Sequence, residues 1–182
     1  MLDKKILGAI AGITIVVIIV AITLVKPELA GKPAPDVRLS LLDGTTPLLS
    51  SYRGKVVLIS FWSVNCRICI KEMPHMNRLH TDLGGKGLTI IGIGMPYDRP
   101  DWTVTFARQQ PILYPVSFDI QGDAARAFGG INFTPTTVLI DRQGVIVWKK
   151  TGALDFKRLR ERIQELLPQT ANTAATVIRS KA

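Results

Sequence analysis

Residues 61–74 read FWSVNCRICIKEMP and contain both cysteines of this 182-residue chain, Cys66 and Cys69, with two residues between them. The preceding run 55–62, KVVLISFW, is continuously apolar, β-branched and aromatic, which is typical of a strand buried on both faces. A helix is predicted from Arg67 to Leu83, where two glycines end it. The cysteine pair therefore lies where a buried strand gives way to a helix.

The rest of the body alternates predicted strands and helices. Strands are predicted at 36–42, 88–95, 136–140 and 145–149, and helices at 102–110, 123–128 and 156–167. The first half has the order βαβ, which implies parallel strands joined by a right-handed crossover, and the late hairpin implies an antiparallel addition. We expect an α/β domain over residues 36–167, with a mixed central sheet of four or five strands covered on both faces.

An apolar segment precedes this body. Residues 6–25 read ILGAIAGITIVVIIVAITLV without a charge, and a helix of that length spans about 30 Å, the thickness of the hydrocarbon core of a bilayer. A cleaved signal peptide is the alternative, but cleavage after Ala30 would leave glutamate at minus three, which is unfavourable. The sequence predicts an uncleaved transmembrane anchor at 6–25 after a short tail at 1–5.

The residues around the anchor bear on its orientation in the membrane, and two further segments, a linker and a C-terminal tail, flank the domain. Lysines lie on both sides of the apolar segment, so the positive-inside rule gives little contrast. A very short tail before a single span usually stays in the cytoplasm, which places the domain outside. Residues 26–35 are predicted to be a proline-containing linker, and residues 168–182, which are small, polar and unpatterned, a disordered tail.

The formal net charge is +9, and several of the positive residues lie in the last predicted helix: Lys157, Arg158, Arg160 and Arg162. Nucleic-acid binding is not expected, because basic residues interleaved with aromatic residues, or a known binding module, are missing. A solvated basic helix face, in reach of anionic lipid, accounts for the charge. The sequence has no flavin or nucleotide fingerprint, so no cofactor is expected.

Three non-catalytic uses of the cysteines meet physical objections. A zinc site would need Cys66, Cys69, His75 and His80, but at about 100° per residue His75 points roughly opposite to Cys66 on one helix. Covalent haem attachment requires histidine directly after the second cysteine, where this chain has Ile70. A structural disulfide closing so short a loop would remove little entropy from the unfolded chain.

A redox pair is favoured by position. Asn65 is a good N-cap, which would place Cys66 in the first helical turn. There the unpaired backbone N–H groups and the positive end of the helix dipole stabilise a thiolate, and Arg67 adds a nearby cation. Cys69 lies one turn further on, within reach of a disulfide. We predict Cys66 as the nucleophile and Cys69 as the resolving thiol.

Two further residues complete the predicted chemistry. Glu72 follows Cys69 by three residues on the same helix face and is predicted to accept the proton of the resolving thiol; the alternative is an exposed glutamate paired with Lys71 or Arg67. The Thr134–Pro135 bond, just before a strand, is a candidate cis peptide that leaves the Thr134 backbone free to pair with an extended substrate. The alternative is an ordinary trans proline.

Together these residues resemble the thioredoxin superfamily, and within it the membrane-anchored TlpA-like disulfide reductases, which include cytochrome c maturation thioredoxins. The likeness runs from about residue 31 to residue 167. It is carried by GKPAPD at 31–36, Phe61-Trp62, Cys66-x-x-Cys69-x-x-Glu72-x-Pro74, Phe133-Thr134-Pro135-Thr136 and Leu139-Ile140-Asp141-x-x-Gly144.

The resemblance implies a thioredoxin-like fold and a role for each matching residue. Cys66 would be the attacking cysteine, Glu72 a buried acid that tunes the pair, and Pro135 a cis-proline facing it. Residues 97–128 resemble the family's insertion between the central strand and helix. The implied protein sits in the bacterial inner membrane by a single pass, with its domain on the periplasmic side.

The implied activity is reduction of disulfides in extracytoplasmic proteins, including those of cytochrome c maturation. Because the domain has no cofactor fingerprint, it would be recharged by a separate membrane electron donor of the thiol-reducing kind. The sequence departs from the family at Asn65, where an aromatic residue is usual, and at Arg67-Ile68, which has no proline. The predicted substrate-binding residues are Trp62, Asn65, Arg67, Ile68, Thr134 and Pro135.

Two other functions remain open at the level of sequence. A thiol peroxidase shares the fold, and Ser63 could replace its usual threonine, but Ile59 occupies the place of its proline. A non-catalytic module delivering Cu(I) or haem could use the two thiolates, which Cu(I) favours. Against it, no cluster of methionine or histidine lies near Cys66.

Overall fold

The computed structural model describes residues 31–168. Within this range five strands and four α-helices follow one another: β1 Val56–Trp62, α1 Arg67–Leu83, β2 Leu88–Gly94, α2 Pro100–Gln109, β3 Val116–Phe118, α3 Asp123–Ala127, β4 Thr136–Ile140, β5 Ile146–Thr151 and α4 Phe156–Leu166. Short 3₁₀ turns at Leu49–Tyr52 and Gly84–Lys86 precede β1 and follow α1.

The strands form one mixed sheet in the order β3-β2-β1-β4-β5. β1 pairs with β2 in parallel from Val56↔Leu88 to Trp62↔Gly94, and on its other side pairs with β4 in antiparallel fashion. β5 extends the sheet by an antiparallel hairpin with β4. The predicted α/β domain with a mixed sheet of four or five strands is confirmed.

The sheet is covered on both faces, as expected for a central strand that is apolar throughout. Val57, Ile59 and Phe61 of β1 face one core cluster, which includes Phe128 after α3. Val56 and Leu58 of β1 point the other way and pack with residues of helices α1 and α4 in the second cluster. Every residue of β1 is buried, so the strand that leads to the cysteines is a rigid support.

The structure corrects two strand predictions. Residues 36–42 do not form a strand: they make only the isolated bridges Arg38↔Leu48 and Leu41↔Ser117. Conversely, the three-residue strand β3 was not predicted, because it is too short for an apolar alternation to show and follows two prolines. It pairs with the end of β2 that lies beside Trp62, the last residue of β1.

The terminal predictions fall mostly outside the described residues. Within residues 31–168 no helix is long and apolar enough to cross a membrane. The predicted anchor at 6–25, the tail at 1–5 and all but the first residue of the C-terminal tail lie outside that range. In the second half of the predicted linker, the Gly31 and Ala34 amides donate hydrogen bonds to the Ile146 and Gly144 carbonyls, which attach this segment to the start of β5.

Candidate active site

The cysteine pair lies at the junction of β1 and α1. The N-cap of α1 is Cys66 itself, and its sulfur accepts a hydrogen bond from the Cys69 amide at 3.2 Å. The prediction that Asn65 caps the helix is therefore wrong: Asn65 is exposed one residue earlier, and its amide donates to the Ser63 hydroxyl. Cys66 nevertheless lies at the positive end of the helix, where a thiolate is stabilised.

Cys66 and Cys69 form a disulfide, with their Cα atoms 5.2 Å apart. Their environments differ. Cys66 is half-buried beside an open recess, whereas Cys69 is only 4% exposed and packs with Trp62 and Met73. An incoming sulfur can therefore reach Cys66 more readily than Cys69.

Glu72 lies one turn after Cys69 and is 7% exposed, so the alternative of an exposed surface glutamate is wrong. Its Oε1 accepts a hydrogen bond from the Leu154 amide at 2.8 Å, while its Oε2 is buried and finds no partner within residues 31–168. Burial raises the pKa of the Glu72 carboxyl above its ordinary value of 4.5; the hydrogen bond from the Leu154 amide and the electrostatic effect of His75 and Lys150 oppose that rise. A buried carboxyl with one unpaired oxygen and a raised pKa is suited to exchanging a proton with a neighbouring group.

The Thr134–Pro135 peptide bond is cis, as predicted. Thr134 lines the open recess beside Cys66, together with Asn65, Arg67 and Ile68. Within residues 31–168 the Thr134 amide and carbonyl have no hydrogen-bond partner. The recess beside the accessible sulfur is thus lined by a residue whose main-chain groups are unpaired.

Two of the predicted substrate-binding residues lie below the surface of this recess. Trp62 is buried, and its ring packs at 5.8 Å from the ring of Phe106. Pro135 is buried as well, and its carbonyl accepts a hydrogen bond from the Gly152 amide. Trp62 forms the floor beneath the disulfide, while Asn65, Arg67 and Ile68 are exposed around it.

Sequence reasoning missed three residues at this edge. The Tyr97 side chain is 57% exposed and its hydroxyl lies 3.4 Å from that of Thr134; Phe133, beside Thr134, is 72% exposed. Asp98 is buried against the loop before Cys66. Tyr97 and Asp98 follow β2, and the carboxyl ends of parallel strands meet at one edge, which is the signal that could have found them.

Histidines lie apart from the cysteines. His75 stacks on Phe156 of α4, with ring centroids 4.7 Å apart. In the part of the chain that the structure describes, no group of three or more histidine, cysteine or acidic residues could hold a metal ion.

A thioredoxin-like fold that presents an accessible cysteine at a helix start, a shielded partner one turn later and a cis-proline loop opposite defines the thiol–disulfide oxidoreductases. The family model of the AhpC/TSA family matches residues 30–149, and the chain belongs to that family.

Curated relatives agree with this class. The thiol-disulfide oxidoreductase ResA of Bacillus thuringiensis subsp. konkukian is 33% identical over 139 residues, which cover 76% of this chain and 79% of the relative. ResA of Geobacillus thermodenitrificans is 32% identical over 139 residues, covering 76% of this chain and 78% of the relative.

Solved structures show the same fold. A protein of Chlorobium tepidum assigned as a thiol:disulfide interchange protein DsbE superposes with a TM-score of 0.70 and 29% identity, over 75% of this chain and 96% of that protein. A protein of Bacteroides thetaiotaomicron assigned as a protein disulfide isomerase superposes with a TM-score of 0.66 and 30% identity, over 77% of this chain and 91% of that protein. The chain is a thiol–disulfide oxidoreductase.

Proposed function

We propose that this domain reduces disulfides in extracytoplasmic proteins, with Cys66 attacking and Cys69 resolving. The observation that carries the proposal is the asymmetry of the site: one sulfur borders an open recess, and the other is enclosed beside a buried carboxyl. An enclosed resolving thiol needs an internal proton acceptor, which Glu72 provides.

The reaction proceeds in two exchanges. The Cys66 thiolate attacks one sulfur of the substrate disulfide, which forms a mixed disulfide and releases the other substrate sulfur as a thiolate. Cys69 then gives its proton to Glu72 and attacks the Cys66 sulfur, which releases the second substrate sulfur. The substrate gains two electrons and two protons in total, and the protein is left with the Cys66–Cys69 disulfide.

The recess determines how a substrate is held. An extended substrate segment would pair with the free amide and carbonyl of Thr134, as an added strand does at a sheet edge. Asn65, Arg67 and Ile68 contact the residues that flank the substrate cysteine. Because Asn65 replaces an apolar edge by a polar one, polar flanking residues are expected in the preferred substrates.

The oxidised pair must be recharged by a partner. A membrane electron donor of the thiol-reducing kind fits the same accessible sulfur, since Cys69 is closed to it. The apolar segment 6–25 would anchor the chain in the bacterial inner membrane by a single pass, with the domain in the periplasm. The family resemblance supports substrates in cytochrome c maturation.

Trapping identifies the substrate and tests the order of attack. In Cys69→Ser the mixed disulfide between Cys66 and its substrate cannot resolve, so we expect covalent adducts of the full-length chain that a reductant releases. Cys66→Ser is the matched control and should trap none. Adducts formed equally by both variants, or by Cys66→Ser alone, would contradict the assignment.

The peroxidase and Cu(I) alternatives each have a direct test. The Ser63 hydroxyl donates to Asp98 at 2.8 Å, and Ile59 is fully buried in β1, so neither reproduces a peroxidase site. Sustained peroxide consumption by the purified domain, supplied with a thiol reductant, would favour the peroxidase. Tight Cu(I) binding in competition with a chelator would favour metal delivery.

A further inference from the structure

Asp98 lies in the loop after β2 and is 7% exposed. Its carboxylate contacts the loop that precedes Cys66: Oδ1 accepts a hydrogen bond from the Ser63 hydroxyl at 2.8 Å, and Oδ2 accepts one from the Val64 amide at 2.9 Å. Both carboxylate oxygens therefore accept hydrogen bonds from the same loop.

Ser63 extends this contact towards the cysteine. Its hydroxyl accepts a hydrogen bond from the Asn65 amide at 3.2 Å, and its carbonyl accepts one from the Cys66 amide at 3.1 Å. One carboxylate therefore holds, directly or through Ser63, each residue of the loop between β1 and Cys66.

The loop that carries Asp98 is itself fixed. The Asp98 amide donates to the Met95 carbonyl at 3.2 Å, and the Met95 amide donates to the Trp62 carbonyl at 3.0 Å. Hydrogen bonds thus connect the end of β1 to the loop after β2, and that loop to the residues before Cys66. Side chains held by packing and hydrogen bonds of this kind keep a reacting group in place.

The Asp98 carboxylate contacts the loop that leads to Cys66, so its charge bears on the Cys66 sulfur. A negative charge near a thiol disfavours the thiolate, and burial leaves that charge little screened. The other charged groups around the loop are Arg67 and Glu72 of α1 and the exposed Arg99–Asp101 ion pair, whose charges offset each other. Asp98 therefore opposes the helix N-terminus and Arg67, which both favour the thiolate.

We propose that Asp98 is a positioning residue that fixes the loop before Cys66 and, through its negative charge, disfavours the Cys66 thiolate. The inference rests on the proposed function, in which Cys66 and Cys69 are the working pair. A less stable thiolate makes the reduced pair a stronger electron donor, because stabilising the reduced form is what makes a dithiol protein oxidising. Asp98 thereby favours reduction of substrates over their oxidation.

The test compares Asp98→Asn with Ser63→Ala and Asp101→Asn in the reduced full-length chain, by alkylating Cys66 across a range of pH. Asparagine keeps the shape and can accept from the Val64 amide and donate to the Ser63 hydroxyl, but removes the charge. We expect the acid dissociation constant of Cys66 to rise about tenfold in Asp98→Asn. Ser63→Ala keeps the charge of Asp98, and Asp101→Asn removes only an exposed charge. In both variants the acid dissociation constant of Cys66 should therefore stay within about twofold of the wild-type value.

The reduction potential gives a second readout. At a pH where Cys66 is ionised in both proteins, a tenfold more stable thiolate raises the potential of Asp98→Asn by about 30 mV. An unchanged Cys66 titration in Asp98→Asn, or an equal shift in Ser63→Ala, would overturn the proposal. Should Asp98→Asn not fold, Asp98→Ser carries the same expectation, and rapid hydrogen exchange of the wild-type Val64 amide would overturn the positioning role. Alkylation needs no turnover, so a wild-type protein that fails to reduce disulfides refutes the proposed function without affecting this comparison.

Discussion

Replacing Glu72 by Gln removes a proton acceptor while leaving the shape of the site in place. Glutamine can still accept the hydrogen bond of the Leu154 amide, which the Oε1 atom accepts at 2.8 Å in the native structure. The amide NH₂ then takes the place of Oε2, the buried oxygen without a partner. The variant therefore tests proton transfer rather than packing.

The expected size of the effect follows from the burial of Cys69. Proton transfer by a positioned side chain contributes about 10²–10⁴-fold to a rate. Because Cys69 is only 4% exposed, water is a poor substitute acceptor, and we expect its attack on the mixed disulfide to slow by about 10²-fold or more. The attack of Cys66 on a substrate should change little, because that sulfur borders the open recess.

The two steps can be measured separately. A mixed disulfide of Cys66 with thionitrobenzoate releases its coloured thiol only when Cys69 attacks, so the release rate against pH reports the step assigned to Glu72. Glu161→Gln, which changes an exposed glutamate of α4, is the matched control. A release rate in Glu72→Gln within about threefold of the control at every pH would refute the assignment of Glu72 as the proton acceptor.

Three further predictions concern stability. Because the pKa of Glu72 is raised on folding, the native state binds this proton more tightly than the unfolded chain, so the free energy of unfolding of the wild type falls as pH rises from about 4.5 through the raised native pKa. Glu72→Gln lacks this proton, so its stability relative to the wild type should increase between pH 4 and pH 7, and an equal difference in urea unfolding at both pH values would contradict this. Gly94→Ala should destabilise the fold by about 1–3 kcal/mol, because the new Cβ would lie 3.1 Å from the Phe118 and Thr103 side chains; an unchanged melting temperature would show that these side chains can move aside. Asp155→Ala should cost about 1 kcal/mol in urea unfolding, because the Asp155 carboxylate accepts hydrogen bonds from two amides of the first turn of α4, and Asp155→Asn, which keeps a capping oxygen, should restore most of it.

Local signals explain why the strand and helix around the cysteines could be predicted closely. The uninterrupted apolar run gave β1, and a glycine pair marked the end of α1, whose observed bounds Arg67–Leu83 match the prediction. Glu72 could be placed beside Cys69 because three residues on a helix return to the same face. Each of these inferences depends on residues close together in sequence.

The errors arose where residues distant in sequence decide the structure. Asn65 was predicted to be the N-cap of α1, but its amide donates to the Ser63 hydroxyl, which is itself bound to Asp98. The N-cap is Cys66, one residue later. Asp98 lies 35 residues from Ser63, and no local sequence pattern predicts a contact between them. The segment 36–42 has the composition of a strand, yet its neighbours in space provide only isolated bridges.

The reduction potential of the Cys66–Cys69 pair tests the central claim most directly. It can be measured on the full-length chain by equilibration with glutathione or dithiothreitol buffers and alkylation of the free thiols. A reductase with a disfavoured Cys66 thiolate should have a potential near or below the roughly −270 mV of thioredoxin. A value near the roughly −120 mV of DsbA would contradict the account and assign the domain to disulfide formation.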